Sequence, residues 1–114
     1  GRLKDLVIVR GRKFHPDDVE AVLEAEAPEL VRPGGVVVVA RFDDATGADQ
    51  AIAVCETSAQ AEAERGALVE RLKAASAAKA GLTLSEVVLV APGSIPKTTS
   101  GKRRRAETRA RFGR

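Results

Sequence analysis

The sequence contains no Met, no Trp and no Tyr, a single Cys and only three Phe in 114 residues. A translated chain starts with Met, so this one is expected to be a piece of something longer. With so few aromatic groups, the core has to be built from Val, Leu, Ile and Ala. A lone Cys55 excludes an internal disulfide. Its place in the apolar run Ala51-Ile52-Ala53-Val54-Cys55 reads as that of a buried small hydrophobe without a chemical duty. Long hydrophobic runs are missing too. The longest, Val36 to Ala40 and Ala51 to Cys55, fall far short of the roughly 18 residues a membrane helix needs. No N-terminal stretch has the layout of a signal peptide. A soluble, cytoplasmic domain is the expectation.

What is present is an ordinary globular mixture, 44% hydrophobic and 31% charged, of a length that suits one domain. The net charge of +3 conceals a division. Arg2, Lys4, Arg10, Arg12 and Lys13 stand against Asp5 at one end. Lys97, Lys102, Arg103, Arg104, Arg105, Arg109, Arg111 and Arg114 stand against Glu107 at the other, and the body between them is acidic. If the fold joins the two basic ends, they make a positive surface suited to phosphate-bearing partners.

Leu6 to Arg10 reads as a strand closed by Gly11, with Arg12 to His15 returning as the second arm of a hairpin. Pro16, Asp17 and Asp18 mark a helix start, because proline suits the first turn and acidic groups favour the positive end of the dipole. Val19, Val22 and Leu23 follow at helical spacing, and Pro28 ends the element. Arg32-Pro33-Gly34-Gly35 reads as a loop and Val36 to Phe42 as a strand. Asp43 to Gly47 has the composition of a hairpin connection to a strand over Gln50 to Glu56. Ala59 to Ala80, with Leu68 and Leu72 four apart, reads as one amphipathic helix ending at Gly81. Ser85 to Ala91 is a third body strand, Pro92-Gly93 breaks it, and Lys102 to Arg111 is a last, basic helix. The fold class is α+β: a small mixed or antiparallel sheet of about three strands with flanking helices, preceded by a short hairpin.

The segment Ile95-Pro96-Lys97-Thr98-Thr99-Ser100-Gly101-Lys102 carries the most chemistry. It is a hydroxyl-rich loop with two lysines just before a helix start. Gly101 lets backbone N–H groups approach phosphate oxygens, and Lys102 adds a mobile charge. A flexible solvated loop has the same composition. A P-loop is excluded, since Pro96 stands where its first glycine would lie and Arg103 follows Lys102. His15 has no partner in sequence and reads as a capping or surface residue, and no Cys/His cluster suggests a metal held by the protein.

Taken together, Pro96 to Lys102 with Arg105, and Gly1-Arg2-Leu3-Lys4-Asp5-Leu6 through Pro16-x-Asp18-x-Glu20, resemble two motifs at opposite ends of the C-terminal subdomain of the acyl-adenylate-forming superfamily. That superfamily comprises acyl-CoA synthetases, peptide-synthetase adenylation domains and luciferases. Lys4 to Arg12 and His15-Pro16-x-Asp18-Val19-Glu20 are most similar to fatty acyl-AMP ligases. The resemblance spans essentially the whole chain and implies a single C-terminal lid subdomain, residues 1–114, that lacks its N-terminal adenylation core.

By that resemblance Lys102 is the catalytic lysine of adenylation, bridging the attacking carboxylate and the α-phosphate. Lys4, with Asp5 beside it, is the hinge on which the subdomain swings between its adenylating and thioester-forming poses. Arg2, Lys97, Thr99, Ser100, Gly101 and Arg105 are candidates for nucleotide or phosphate-loop contacts. Arg10 and Gly11 would line the pantetheine entrance. ATP is implied, with Mg²⁺ arriving on it and bound mainly by the missing domain. The partners implied are the chain's own N-terminal domain, a fatty acid, and the phosphopantetheine arm of an acyl carrier protein or polyketide synthase carrier domain. Alone, the domain is expected to be inactive. Two rival readings stand beside this one: the same subdomain from an acyl-CoA synthetase, and a basic nucleic-acid-binding module built on Arg103-Arg104-Arg105, Arg109 and Arg111. Against the second, the tail lacks interleaved aromatics for stacking.

Overall fold

The structure, a computed structural model, describes residues 6–95 and 101–112, the first four of the latter by backbone alone. Val7–Val9 (β1) and Arg12–Phe14 (β2) pair as a hairpin, with Val9 opposite Arg12. Its two-residue loop needs positive φ at both positions to match the strand twist, and Arg10 (52°) and Gly11 (78°) supply it. Glycine takes that conformation freely, whereas an arginine there costs of the order of 1 kcal/mol.

Helix α1 (Pro16–Glu26) opens as expected, with Pro16 in its first turn and Asp17 and Asp18 beside it. The exposed His15 is its N-cap residue by position, but its side chain makes no capping bond. Then Val31–Asp43 (β3) and Ala48–Thr57 (β4) pair antiparallel, and Glu86–Val90 (β5) lies parallel to β4, giving the sheet order β3-β4-β5. A parallel neighbour requires a crossover. Helix α2 (Glu62–Ala75) and a π-helical turn (Ser76–Ala80) provide it. Gly101–Phe112 (α3) closes the chain. The α+β class with a hairpin and a three-stranded mixed sheet is therefore as read from the sequence.

Two expectations need correction. Arg32 to Gly35 is not a free loop but an irregularity within β3, where the pairing passes from Val31 opposite Thr57 to Val36 opposite Cys55. The extra residues bulge out, and a Cβ on Gly35 would lie 2.9 Å from the Arg32 carbonyl oxygen, which leaves room for glycine alone. The alanine-rich stretch is also shorter than its composition suggests. It starts at Glu62 because Thr57 Oγ1 accepts the Ala59 N–H (3.1 Å) and Arg65 donates to the Ala59 carbonyl (3.1 Å), holding the preceding residues in a loop. Its last turn widens where buried Ser76 donates its hydroxyl to the Leu82 carbonyl (2.6 Å), and the chain leaves at Gly81 with φ 70°.

Alternation along the strands creates two cores. Val36, Val38, Ala51, Ala53 and Cys55 face the hairpin, α1 and α2, meeting Phe14, Val19, Leu23, Leu68 and Leu72. Val37, Val39, Ile52 and Val54 face the other way, against Ile95 and Phe112 of α3. Covered on both sides, β4 is buried from Ala51 to Thr57. Arg71 of α2 binds Glu26 (3.0 Å) and Glu29 (2.7 Å) near the end of α1, and these bonds hold both carboxyls below their ordinary range.

Cys55 is wholly buried, as its neighbours in sequence suggested. Burial, reinforced by the charges of Glu20 and Glu24, pushes its thiol up to about 12. At pH 8 only about one molecule in 10⁴ then carries the reactive thiolate. Cys55 is expected to resist iodoacetamide in the folded chain and to be labelled completely in urea, as mass spectrometry would show. Prompt labelling without denaturant would contradict the packing.

Candidate functional site

Of the candidate residues, Arg2, Lys4, Asp5, Lys97, Thr99 and Ser100 lie outside the described residues, as does the rest of 96–100. What the structure does describe is the chain up to Ile95 and from Gly101 onwards. Gly101 opens α3 and Lys102 stands in its first turn. The first N–H groups of a helix have no partner within it, so the Gly-Lys pair sits where an anion is best received.

Ile95, the last described residue before the loop, is 1% exposed in the second core. Its N–H donates to Oε2 of Glu56 at 2.9 Å, and Glu56, near the end of β4, is itself 1% exposed. Arg111, near the other end of α3, donates to the Ser94 carbonyl at 3.0 Å.

On the far side of the loop, Arg105 points back to α1. Its Nε donates to Glu20 Oε2 (3.3 Å), its Nη2 to Glu20 Oε1 (3.1 Å), and Nη2 also pairs with Asp17. Glu20 Oε2 accepts in addition the N–H of Val38 at 2.9 Å. Because β3 is an edge strand, that N–H points away from the sheet and needs a partner of this kind. Burial pushes the Glu20 carboxyl above its ordinary value, against the downward pull of Arg105 and of the Val38 N–H. For Arg105, burial acts to lower the guanidinium, but the bonds and charges of Glu20 and Asp17 outweigh it and the net shift is upward.

Arg10 and Gly11 form the exposed tip of the hairpin, apart from this frame. Arg10 and Arg12 line a groove of about 310 Å³ with Thr46, Asp49, Gly81 and Thr83. Arg12 reaches across it to the Gly81 carbonyl (3.4 Å) and lies 5.1 Å from the centre of the Phe14 ring. The hairpin belongs to one face of the sheet and α3 to the other. Of the basic residues at the C-terminal end, Arg105 and Arg111 are engaged by groups of the chain itself.

Glu20 and Glu56 were not singled out as site residues. Glu20 entered only as the last residue of the pattern His15-Pro16-x-Asp18-Val19-Glu20, with no role given to it, and Glu56 as the polar end of a strand. The one available signal was a charged residue closing an otherwise apolar run. Among the described residues no group of three or more His, Cys, Asp or Glu could hold a metal ion. None of their helices is long and apolar enough to cross a membrane.

The head of α3 thus carries the Gly101-Lys102 pair, in a helix that Glu20 holds through Arg105. Comparison with known proteins gives it a context. No family model matches the chain. The long-chain-fatty-acid–AMP ligase FadD23 of Mycobacterium tuberculosis is 43% identical over 110 residues, covering 94% of this chain and 18% of its own length. A second protein of that organism, which bears the name fatty-acid–CoA ligase FadD25, is 41% identical over 113 residues with the same coverage. Among solved structures, one from work on fatty acyl-adenylate ligases of E. coli and L. pneumophila superimposes with a TM-score of 0.74 at 34% identity, over 99% of this chain and 19% of that one.

The chain thus belongs to the acyl-adenylate-forming superfamily. Within it, the chain is most similar to the fatty acyl-AMP ligases, of whose length it spans about a fifth.

Proposed function

We propose that the chain is the mobile C-terminal domain of a fatty acyl-AMP ligase. The observation that carries this reading is the placing of Gly101 and Lys102 at the head of α3, in a chain whose relatives by sequence and by structure include such ligases. In the reaction, a carboxylate oxygen of the fatty acid attacks the α-phosphorus of ATP and pyrophosphate leaves. An anion approaches an anion, so a cation held between them lowers the barrier most as charge builds on phosphorus. Lys102 is assigned that part. In a second pose, reached by rotation at Lys4, a phosphopantetheine thiol attacks the acyl carbonyl and AMP departs. Arg10 and Gly11 at the hairpin tip are assigned to the entrance for that arm, and the left-handed backbone of Arg10 suits a tip kept for contact. The described residues offer no metal site. Mg²⁺ would accompany ATP, and no step is assigned to it.

The full-length protein, supplied with ATP, a long-chain fatty acid and either CoA or a carrier protein bearing phosphopantetheine, is expected to accumulate acyl-AMP and to load the carrier. Efficient formation of acyl-CoA would instead support the acyl-CoA synthetase reading, which the name of FadD25 keeps in view.

A further inference from the structure

Two carboxyl groups from different parts of the fold hold the chain at Ile95 and at Arg105. Glu56, on the central strand, holds the backbone at Ile95, in the core on which α3 packs. Glu20, on α1, holds Arg105 through two of its nitrogens, three residues beyond Lys102. Neither acid is at a surface where a charge is free of cost. Glu56 is 1% exposed, and the side chains of Glu20 and Arg105 are 14% and 15% exposed. Burying such groups is unfavourable unless they are well bonded, and apolar residues of the same volume commonly serve a core as well or better. A carboxyl retained there calls for a task that an apolar side chain cannot perform. Glu56 bonds the main chain at Ile95, and Glu20 bonds Arg105 in the helix that carries Lys102.

We propose that Glu20 and Glu56 are positioning residues for Lys102, Glu20 by fixing α3 through Arg105 and Glu56 by fixing Ile95 in the core against which α3 packs. The inference rests on the adenylation role proposed for Lys102. Glu20 is itself located by the Val38 N–H, so the line of constraint runs from the edge of the sheet through Glu20 and Arg105 to the first turns of α3. A second line runs from β4 through Glu56 to Ile95. A near-attack geometry tolerates little error, and a displacement of about 1 Å can cost up to roughly 10²-fold in rate.

The test uses the full-length protein and measures two half-reactions apart: acyl-AMP formation, read as pyrophosphate release, and acyl transfer to the carrier from acyl-AMP supplied ready-made. Glu56→Leu removes the acceptor for Ile95, while Glu56→Gln keeps an oxygen in its place. Glu56→Leu is expected to lower kcat for adenylation by roughly tenfold or more, with transfer changed by less than about twofold, and Glu56→Gln to restore most of the loss. Glu20→Gln, which keeps an acceptor for Val38 but weakens the hold on Arg105, is expected to act in the same direction and keeps the test open should Glu56→Leu fail to fold. In a Lys102→Ala background neither substitution is expected to slow adenylation further, since effects that act through one group do not add. Equal losses in both half-reactions, or an undiminished effect of these variants on top of Lys102→Ala, would reduce the two acids to ordinary structural residues and overturn the proposal. If Lys102→Ala alone left adenylation intact, the adenylation reading itself would fall, a result distinguishable from the first.

Discussion

Replacing Lys102 by alanine in the full-length protein is expected to slow acyl-AMP formation by roughly 10²-fold or more, while acyl transfer from supplied acyl-AMP survives. The size follows from where the charge acts. Removal of one preorganised donor aimed at developing charge costs about 3–4 kcal/mol in comparable sites, because a water molecule entering the gap must reorient during the reaction. The asymmetry between the half-reactions follows from the pose. Lys102 stands at the head of α3, over one face of the sheet, whereas the Arg10–Gly11 tip belongs to the hairpin on the other. On the proposed reading, the domain presents one side or the other to the reacting centre by rotation. The binding constant for the fatty acid is expected to stay put, since no group of this domain is assigned to the acyl chain. A parallel fall of both half-reactions would show that Lys102 supports the domain interface in general and would remove its specific role.

The second large effect concerns the fold. Leu72→Ala is expected to destabilise the 114-residue chain by about 2–5 kcal/mol, lowering Tm by roughly 10 °C or more. Leu72, on α2, is wholly buried, and the core cluster it belongs to includes Val36, Val38 and Cys55 on paired strands, which cannot readily collapse to fill a void. Ile8→Ala supplies the contrast. Ile8 is 47% exposed, and its truncation is expected to change stability by about 0.5 kcal/mol or less. Urea unfolding followed by far-UV circular dichroism measures both. Similar values for the two would mean that the alanine-rich helix is held by something other than its Leu68–Leu72 stripe.

Much of this architecture can be read along the chain. The stripe of Leu68 and Leu72, the proline at the head of α1 and the apolar runs of β3, β4 and β5 are local patterns, and each appears as the element its period indicates. The failures are equally local in cause. Arg32 to Gly35 has loop composition yet lies within β3, because pairing across to β4 outweighs what four residues prefer alone. The helix expected from Ala59 starts at Glu62, because Thr57 and Arg65 bind the intervening backbone from both sides. Of the basic residues at the two ends, those described lie on a hairpin and on an α3 that cover opposite faces, and Arg105 turns inward to acids of α1.

For the candidate site the division is sharper. Lys102, Gly101 and the hairpin tip were visible as residue types in order, because a motif is a statement about neighbours along the chain. Glu56 carried no such mark, and Glu20 stood at the end of a motif that gave it no part. They stand 36 positions apart, and what gives them a part is the meeting of α1 with α3 across the sheet edge and of β4 with the chain at Ile95. The bare sequence, then, determined the class of fold, the scarcity of aromatic and the lack of disulfide support for its core, and the residue types from which the proposed site is assembled. Only the tertiary structure decided which acids bond Ile95 and Arg105. A carboxyl group's role depends on burial and on who donates to it, and both are properties of the folded surroundings that no stretch of sequence contains.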